Sequence, residues 1–450
     1  MMYNSPLGKT IFKTVELDSC CDFISGFAFK SKDFSDKGYP VIKIKNIQNK
    51  RVTITGDTQH IPFELATEKL NKFRLESDDI LIAMTGQGSV GRVGRLYIDK
   101  NEVAPYLNQR VGKLLPYSQY LNKDYLYYLL SSSEYEKHLF SLGTGSGQPN
   151  LSPTVIKSIK IPLPDTLTQQ KIAATLRALD DKIANNKAMN QTLEKLAQRI
   201  FKSWFIDIDP VKANKEGLPF DGLSPEIQAL FPSEFEDSDL GMIPKGWEVS
   251  TIENEVKTVG GATPSTKKEE FWDSGHLLWT TPKDLSGLTD KVLFDTSRKI
   301  TEAGLKKISS GLLPVNTVLM SSRAPVGYLA LAKEKMAINQ GYIGMICDKN
   351  LGSHFMLLWL DFNMESIKRR AGGTTFAEIS KKAFRPMPIL APRKPILDKF
   401  ECQVKPLFDR IEANSRQNVS LSHIRDRLLP KLISGQISVG EATQELAEAV

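Results

Sequence analysis

Two distant stretches of the chain carry the same pattern of apolar and polar positions. In residues 169–205, apolar or small side chains recur at alternating steps of four and three, which is the spacing of one face of a coiled-coil helix. Residues 397–433 repeat this pattern 228 positions later without a gap, and both stretches place two asparagines in the middle of the apolar face. The repeat predicts two long helices of one design, each of roughly 37 residues and about 55 Å.

The apolar face predicts a seam where the two helices pack. Its positions are Ile172, Leu176, Leu179, Ile183, Asn186, Asn190, Leu193 and Ile200 in the first helix, and Phe400, Val404, Leu407, Ile411, Asn414, Asn418, Leu421 and Leu428 in the second. Buried amides weaken apolar packing but fix the register, because a slip would leave them facing Leu or Ile. In an antiparallel pair in full register, we expect Asn186 to meet Asn414, with an approximate two-fold axis through the cluster. The alternative is two ordinary amphipathic helices, each packed on its own domain.

Shorter patterns precede each predicted helix. Residues 39–46 alternate between apolar and polar side chains, which predicts a half-buried strand. Residues 79–85 form a largely apolar run that predicts a buried strand, and this run leads into a glycine-rich loop at 86–91. A second glycine-rich loop, at 143–150, follows a predicted helix over 125–140. The patterns predict a compact segment of short strands, turns and a few helices.

The segment before the second helix repeats the segment before the first, but more loosely than the helices do. The matching pieces are 25–26 with 260–261 (offset 235), 45–46 with 283–284 (238), 84–91 with 320–327 (236), 108–109 with 339–340 (231), and 145 and 152 with 373 and 380 (228). Because the offset drifts here and stays constant along the helices, loop lengths differ between the two globular copies. A spacer must keep its length, whereas two readers of different ligands need not match.

These patterns define the expected architecture. We predict an α+β protein with two globular mixed α/β domains, separated by an antiparallel coiled coil of two long helices, as a pseudo-two-fold internal repeat. The predicted segments are a first domain at 1–165, a central helix at 166–206, a linker at 207–244, a second domain at 245–392, a distal helix at 393–436 and a tail at 437–450.

Composition narrows the class of protein. The chain has 450 residues, of which 41% are hydrophobic and 25% are charged, as in ordinary globular proteins. A net charge of +7 leans mildly towards a nucleic-acid partner. The four cysteines form no CxxC pair and the five histidines are scattered, so neither a zinc site nor a disulfide framework is supported. No run is long and apolar enough for a membrane span, and we expect a cytoplasmic protein.

Catalytic motifs are missing from the sequence. It contains no Walker phosphate loop, no G-x-S-x-G elbow, no H-E-x-x-H and no Asn/Asp-Pro-Pro-aromatic motif of an adenine methyltransferase. The chain is therefore expected to be a binder or scaffold without catalysis, cofactor or metal of its own.

Polar side chains in the loops are the candidate DNA contacts. They are Lys43, Lys45, Asn46, Gln87, Ser89, Arg92, Arg95, Thr144, Ser146 and Gln148 in the first domain, and Thr280, Thr281, Lys283, Ser322, Arg323, Thr374 and Thr375 in the second. Amides, hydroxyls and guanidinium groups pair with base edges and phosphates. The alternative for each loop is an ordinary turn. Asn108 and Asn339 have the same ambiguity, because they could bond adenine or satisfy buried backbone.

Eight short segments form a recognisable set: 161–164 (IPLP), 169–172 (QQKI), 179–183 (LDDKI), 204–210 (WFIDIDP), 237–247 (DSDLGMIPKGW), 260–265 (GGATPS), 279–285 (WTTPKDL) and 427–435 (RLLPKLISG). With these segments in this order, the sequence resembles the specificity subunits of type I restriction-modification systems. The match covers nearly the whole chain and is specific as a set. One departure is Pro406, where the first helix has Ala178. A proline there is expected to kink the second helix or delay its start.

The resemblance implies a function and a set of partners. Each globular domain would be a target-recognition domain that reads one half of an asymmetric, bipartite site in double-stranded DNA, and the helix pair would set the spacing. Two modification subunits carrying S-adenosylmethionine and two restriction subunits using ATP and Mg²⁺ would bind this non-catalytic chain. The alternatives are a self-contained DNA methyltransferase or endonuclease, and a two-domain scaffold that binds only proteins.

Overall fold

The computed structural model describes residues 2–99, 102–144, 149–372 and 377–449. The chain forms two compact units. Unit 1 comprises Met1–Lys182 and Ser420–Val450, and unit 2 comprises Ile183–Val419. Each long helix therefore contributes one part to each unit. In the described part of the chain, no helix is long and apolar enough to cross a membrane.

The helices follow the chain in this order: α1 Lys123–Leu130, α2 Ser133–Leu142, α3 Pro153–Lys157, α4 Thr166–Phe201, α5 Asp209–Glu216, α6 Pro225–Gln228, α7 Ile252–Glu255, α8 Pro282–Leu285, α9 Glu302–Leu305, α10 Ser353–Arg369, α11 Lys381–Phe384, α12 Lys394–Ser434 and α13 Val439–Ala449. A π-helical turn, Lys202–Ile206, continues α4.

The strands before α4 are β1 Tyr3–Ser5, β2 Gly8–Thr10, β3 Thr14–Glu16, β4 Cys21–Ser25, β5 Tyr39–Ile42, β6 Ile47–Gln48, β7 Arg51–Val52, β8 His60–Ile61, β9 Ile80–Ala83, β10 Val93–Leu96, β11 Tyr106–Leu107, β12 Val111–Pro116 and β13 Lys160–Pro162. The strands after α4 are β14 Phe235–Ser238, β15 Gly241–Pro244, β16 Glu248–Thr251, β17 Lys257–Gly260, β18 Leu277–Thr280, β19 Val292–Leu293, β20 Arg298–Ile300, β21 Val318–Ser321, β22 Leu329–Ala332, β23 Met336–Ile338, β24 Tyr342–Ile346 and β25 Pro388–Ala391.

The main sheets of the two units share one topology. In unit 1 the strand order is β4-β12-β9-β10-β7-β6, and in unit 2 it is β17-β24-β21-β22-β19. Each sheet is antiparallel except for one parallel pair, β10 with β7 and β22 with β19. The smaller sheets also correspond, with β11-β5-β8 in unit 1 and β23-β18-β20 in unit 2. The internal repeat predicted from the sequence is thus a repeat of fold.

Strand register gives the structural offset of each piece. The offsets of 235 for β4 and β17, 238 for β5 and β18, and 231 for β12 and β24 agree with the sequence matches. The match of 84–91 with 320–327 at offset 236 is wrong at its start. Met84 corresponds to Ser322, because their amides donate to the corresponding carbonyls of Arg110 and Gly341. The loop of unit 2 is therefore two residues shorter.

Close approach of two backbones explains one repeated glycine. A Cβ atom on Gly26 would lie 2.1 Å from the carbonyl oxygen of Asn108, and one on Gly261 would lie 1.8 Å from that of Ile338. Real Cβ atoms do not approach oxygen so closely, so both positions exclude side chains. The glycines let the strand end of β4 or β17 cross the small sheet beside it.

In unit 2 the two long helices run antiparallel. Asn186 donates to the side chain of Asn418 at 3.0 Å, and Asn414 donates to that of Asn190 at 2.8 Å. Further along, the ring of Phe205 packs on that of Phe400 with centroids 4.9 Å apart. The predicted asparagine cluster is therefore real and joins the helices.

The expected pairing of Asn186 with Asn414 is wrong by one helical turn. In that register only one amide pair would form, and Asn190 and Asn418 would face charged side chains. The observed register places an amide opposite all four amides, which satisfies more of the buried polar groups. The two pairs exchange when 228 is added, so the cluster itself is locally two-fold.

The predicted seam is buried, with a small drift at its ends. Leu193, Ile200 and Leu407 are only half-buried, whereas Phe201 and Phe408 beside them are buried. A straight helix has 3.6 residues per turn, so a strict repeat of 3.5 drifts around its surface.

Proline in the second helix does not delay its start. Helix α12 begins at Lys394 and continues through Pro406 to Ser434. The side chain of Pro406 is exposed, so the carbonyl that loses its usual amide partner lies on the solvent face, where water can satisfy it. Of the two expected effects, the delayed start is wrong, and the kink stays a prediction.

Unit 1 holds its helical parts with polar contacts. Arg425 of α12 lies 2.6 Å from the carboxylate of Asp180 on α4, and the hydroxyl of Tyr128 on α1 donates to the same carboxylate at 2.9 Å. Gln169 is fully buried, and its amide group donates to the carbonyl oxygens of Tyr120 and Pro164. These bonds fix the first half of α4 on the globular part of unit 1.

A small hairpin also occurs twice. In β1–β2 the hydroxyl of Ser5 accepts from the amide of Leu7 and donates to the carbonyl of Gly8, and in β14–β15 Ser238 does the same with Leu240 and Gly241. After the first hairpin, the Thr10 hydroxyl and the Ile11 amide both donate to the carbonyl of Ser434, the last residue of α12. The segment 207–244, predicted as a linker, contains α5, α6 and the second hairpin.

Candidate nucleic-acid interface

In unit 2, several predicted contact residues line one cleft. Thr281, Lys283 and Arg323 lie there together with Asn339, which the sequence left ambiguous, and with Ser286 and Tyr328, which the sequence did not indicate. Lys283 is exposed, and the Arg323 side chain keeps 39% of its accessible surface. Hydroxyl, amide, ammonium and guanidinium groups thus converge on a single concave surface, as expected for a surface that reads bases and holds phosphate.

One wall of the cleft is the turn that begins α8. The carboxylate of Asp284 accepts hydrogen bonds from the amide and the hydroxyl of Thr281 and from the amide of Ser297. Burial tends to raise the pKa of Asp284, but the hydrogen bonds from Ser297 and Thr281 together hold it below its ordinary value. The ionised carboxylate locks the turn and leaves the Lys283 side chain exposed.

The other wall is the loop after β21. The backbone of Arg323 pairs with that of Glu378, and the guanidinium lies 3.8 Å from the Glu378 carboxylate. Ala324 has a positive φ of 56°, so the chain turns sharply there. The loop continues to Tyr328, which also lines the cleft, and the Arg323 side chain stays partly exposed.

Unit 1 places different groups at the corresponding positions. The correspondence follows from strand register and joins Lys43 to Thr281, Lys45 to Lys283, Gln48 to Ser286, Thr85 to Arg323, Arg92 to Tyr328 and Asn108 to Asn339. The six positions in unit 1 include three cations, Lys43, Lys45 and Arg92. The six in unit 2 include two, Lys283 and Arg323. The two surfaces have the same backbone fold but different side chains.

Two lysines of unit 1 are braced by neighbouring side chains. The Lys43 ammonium lies 3.9 Å from the ring centre of Phe34 and donates to the amide oxygen of Gln59. Burial and then the nearby Lys45 lower the pKa of Lys43. Lys45 lies 2.7 Å from the Asp57 carboxylate. A phosphate would have to compete with these partners, although both lysines reach the surface.

The glycine-rich loop of unit 1 presents exposed groups. Gln87 and Arg92 are exposed and Ser89 is half-buried. Gly86, Gly88 and Gly91 have φ values of 110°, 72° and 83°, which other residues adopt only with strain. The loop therefore depends on its glycines for its shape.

Arg95 is the clearest correction to the predicted set. It is 2% exposed, its guanidinium lies 2.6 Å from the Asp124 carboxylate, and it stacks on the ring of Tyr127 at 4.2 Å. Its counterpart in unit 2 is Leu331, which is fully buried. Arg95 is therefore a core residue of unit 1 and is not presented to DNA in this structure.

Three further predicted contacts are buried. Asn46 accepts from the amide of Lys43 and donates to Thr53 and Thr58, so it braces a turn. Thr280 is fully buried against the hydroxyl of Tyr342, and Ser322 is 4% exposed. Short polar side chains often satisfy the backbone of a turn, and a sequence pattern does not distinguish this role from base contact.

Thr144, another predicted contact, is exposed and pairs with Asn150. The last four predicted contacts, Ser146, Gln148, Thr374 and Thr375, fall outside the described residues. The amide oxygens of Asn108 and Asn339 accept from the backbone amides of Arg110 and Gly341. Asn108 and Asn339 thus satisfy backbone groups.

Sequence reasoning missed Gln48, Ser286 and Tyr328. The signal that could have found them is the internal repeat, because Tyr328 and Arg92 are the residues immediately before corresponding strands, β22 and β10. In the described part of the chain, no cluster of three or more His, Cys, Asp or Glu side chains is arranged to hold a metal ion.

Comparison with known proteins shows that both copies of the internal repeat match one protein family. The profile of the type I restriction modification DNA specificity domain matches residues 11–195 and 244–405. The type I restriction enzyme MjaIX specificity subunit from Methanocaldococcus jannaschii is 30% identical over 369 residues, covering 80% of this chain and 78% of that protein. The HindI specificity subunit from Haemophilus influenzae is 28% identical over 414 residues, covering 81% of this chain and 88% of that protein.

A solved structure supports the fold. The crystal structure of the type I restriction-modification system S subunit from M. genitalium matches with a TM-score of 0.56 and 18% identity, covering 94% of this chain and 96% of that one. The family profile matches both copies of the internal repeat. The chain therefore belongs to the family of type I restriction-modification DNA specificity subunits.

Proposed function

We propose that each globular part reads one half of an asymmetric, bipartite site in double-stranded DNA, and that the helix pair sets the number of unread base pairs between the halves. The observation that carries this proposal is one backbone fold used twice with different side chains at corresponding loop positions, such as Thr85 and Arg323. Two copies of one domain fold that present different side chains are suited to recognise two different half-sites.

The proposed domain boundaries are those of the predicted segments. We assign the target-recognition domains to 1–165 and 245–392, the helices to 166–206 and 393–436, the linker to 207–244 and the tail to 437–450. The cleft of unit 2 and the corresponding loops of unit 1 are proposed to lie against the major groove, because its base edges distinguish all four base pairs. Phosphate contacts by Lys45, Lys283 and Arg92 would make binding fall steeply with salt.

The chain is proposed to act as a non-catalytic subunit in the cytoplasm. Two modification subunits with S-adenosylmethionine would dock on the helices and domains and methylate adenine, and two restriction subunits would bring ATP and Mg²⁺. Neither a cofactor nor a metal is assigned to this chain. The support is the family membership together with the missing catalytic motifs.

Mapping methylated adenines in the source cell tests the function directly. We expect a split motif with two different halves, which disappears when this gene is deleted. A motif that survives the deletion would contradict the proposal. Methylation or cleavage by the purified chain alone would favour a self-contained enzyme, and complete absence of DNA binding in a gel shift with the modification subunit would favour a protein scaffold.

The spacer role has its own test. One heptad inserted at the same place in 181–195 and in its counterpart 409–423 lengthens both helices by about 10 Å, or roughly three base pairs at about 3.4 Å each. We expect the same two half-sites with a longer gap. An unchanged gap in a folded, active complex would contradict the idea that these helices measure distance.

A further inference from the structure

A carboxylate of the second globular part reaches both long helices at once. Asp290 comes just before β19, and one of its carboxylate oxygens accepts from the Asn190 amide group on α4 at 3.0 Å and from the Ser415 hydroxyl on α12 at 2.6 Å. All three residues belong to unit 2. A single loop side chain therefore holds one residue of each helix.

The contact is part of a closed network. The Asn190 amide group also donates to the Ser415 hydroxyl at 3.0 Å, and its oxygen accepts from Asn414 at 2.8 Å. Asn190 is 2% exposed and Ser415 is 7% exposed. Register between the helices needs only the asparagine pair, so the bonds to Asp290 give the cluster a second role, which is to hold the domain.

The neighbouring contacts restrict the same edge of the domain. Lys291 lies 2.6 Å from Glu194 on α4 and 2.8 Å from Asp361 on α10. Burial alone would lower the pKa of Lys291, but these two carboxylates raise it overall. Lys333, at the end of β22, is 2.9 Å from Glu412 on α12. Asp290 differs from both lysines because it engages the two helices together at the asparagine cluster.

The first copy lacks this chemistry at the corresponding positions. Strand register relates Asp290 to Asn49, and the helix offset relates Ser415 to Lys187. An amide and an ammonium group stand where the second copy has a carboxylate and a hydroxyl. The arrangement is therefore specific to the second domain and is not a general consequence of the repeated fold.

We propose that Asp290 is a positioning residue, which fixes the position of the second target-recognition domain along the helix pair. This position determines the exact number of base pairs that the complex accepts between the half-sites. This inference rests on the proposed function. The length of the helices sets the approximate spacing. The contact of Asp290 with both helices makes the spacing exact, so that the complex binds poorly to a site whose gap is one base pair too long or too short.

The test uses the full chain assembled with its modification subunits. Binding is measured to duplexes that carry both half-sites at the natural gap, or at a gap one base pair shorter or longer. Asp290→Ala removes the acceptor that both helices share, Ser415→Ala removes the hydroxyl donor of α12, and Ser415→Thr keeps that hydroxyl. Asp295→Ala is the matched control, because Asp295 is exposed and forms an ion pair with Lys299.

We expect Asp290→Ala and Ser415→Ala to lower discrimination against the wrong gaps by about tenfold, or about 1.4 kcal/mol, while the base preferences of both half-sites stay the same. Ser415→Thr and Asp295→Ala should keep the wild-type discrimination. Unchanged discrimination in Asp290→Ala, with or without a lower melting temperature, would overturn the inference. Loss of base preference in the second half-site would also overturn it, because Asp290 would then support the fold of the domain.

The wild-type complex separates this inference from its premise. If the unaltered complex binds every gap equally, the bipartite function itself fails before any variant is compared. If the wild type discriminates and Asp290→Ala does so equally, only the positioning role fails.

Discussion

The loops that follow β9 and β21 occupy the same place in the two halves of the chain but present different side chains. In unit 2, Arg323 pairs through its backbone with Glu378 and keeps its guanidinium partly exposed. In unit 1 the same backbone bridge joins Thr85 to Asn150, and the Thr85 hydroxyl is buried. The backbone is thus kept while the group offered to a ligand is exchanged.

The difference shows how one fold can serve two specificities. Main-chain bonds fix the loop bases, since Leu151 and Ile379 donate to the carbonyls of Met84 and Ser322 in the same way. Side chains at the loop tips do not take part in these bonds, so they can change without loss of the scaffold. Substitutions of residues on which the shared fold depends should therefore lower stability. Substitutions of the loop side chains should instead weaken DNA binding at one half-site.

The largest effect is expected where the shared scaffold is tightest. Gly261→Ala would place a Cβ atom 1.8 Å from the Ile338 carbonyl oxygen, and such overpacking should lower the free energy of unfolding by about 3 kcal/mol. Urea unfolding measures this change. Gly287→Ala is the control, because nothing lies within 4 Å of its added Cβ. Equal stability of the two variants would show that the close approach is not needed.

The next effect separates two arginines that look equivalent in sequence. Arg95→Met should lower the free energy of unfolding by about 2 kcal/mol, because it leaves the Asp124 carboxylate without its nearest cation, although Arg177 still lies 3.0 Å away. DNA affinity of the folded complex should not change. Arg92→Met should weaken binding to one half-site and leave the free energy of unfolding unchanged. Weaker DNA binding by Arg95→Met at unchanged stability would contradict the assignment of Arg95 to the core.

A smaller and one-sided effect is expected at the loop tips. Arg323→Ala should weaken binding of the second half-site by about tenfold, since a specific arginine contact is worth about 1–3 kcal/mol. Competition with duplexes altered in one half-site at a time measures it. Thr85→Ala is the matched change in unit 1 and should have little effect. Equal losses at both half-sites in Arg323→Ala would point to misfolding.

The smallest expected effect is a loss of stability at low pH that arises in unit 2 and not at the corresponding turn of unit 1. Asp284 and Asn46 hold corresponding turns, one with a carboxylate and one with an amide. Because the folded-state pKa of Asp284 lies below its ordinary value of 3.8, its stabilising contribution is complete above that value and is lost as the pH falls through the lower one. Screening should keep the contribution below about 1 kcal/mol.

Urea unfolding at a series of pH values, from about 3 to 5, detects this contribution. Asp284→Asn should remove it. An identical pH profile in the wild type and in Asp284→Asn would mean that this carboxylate does not stabilise its turn.

The long helices were predictable because their evidence is internal to the sequence. A constant offset of 228 and two asparagine pairs define both elements, and the helices begin at Thr166 and Lys394, three residues before the repeat does. The predicted register is wrong because it pairs only Asn186 with Asn414. The observed register also gives Asn190 and Asn418 amide partners, and this requirement selects it.

The candidate interface was only partly predictable. Thr281, Lys283 and Arg323 lie together because each follows a strand end, and strand ends are visible in the sequence. Arg95 could not be separated from Arg92 in this way, because its burial depends on Asp124 and Tyr127 in a helix some thirty residues later. Asp290 carries no local pattern at all, and only its contacts with Asn190 and Ser415 distinguish it from other loop carboxylates.

The two units also differ in how much of the chain they require. Unit 2 is one continuous stretch, Ile183–Val419, whereas unit 1 needs both Met1–Lys182 and Ser420–Val450, and the carbonyl of Ser434 holds Thr10 and Ile11. Protein domains fold as units while the ribosome is still adding residues. Unit 2 therefore has all its residues first, and the part of the molecule made earliest is completed last.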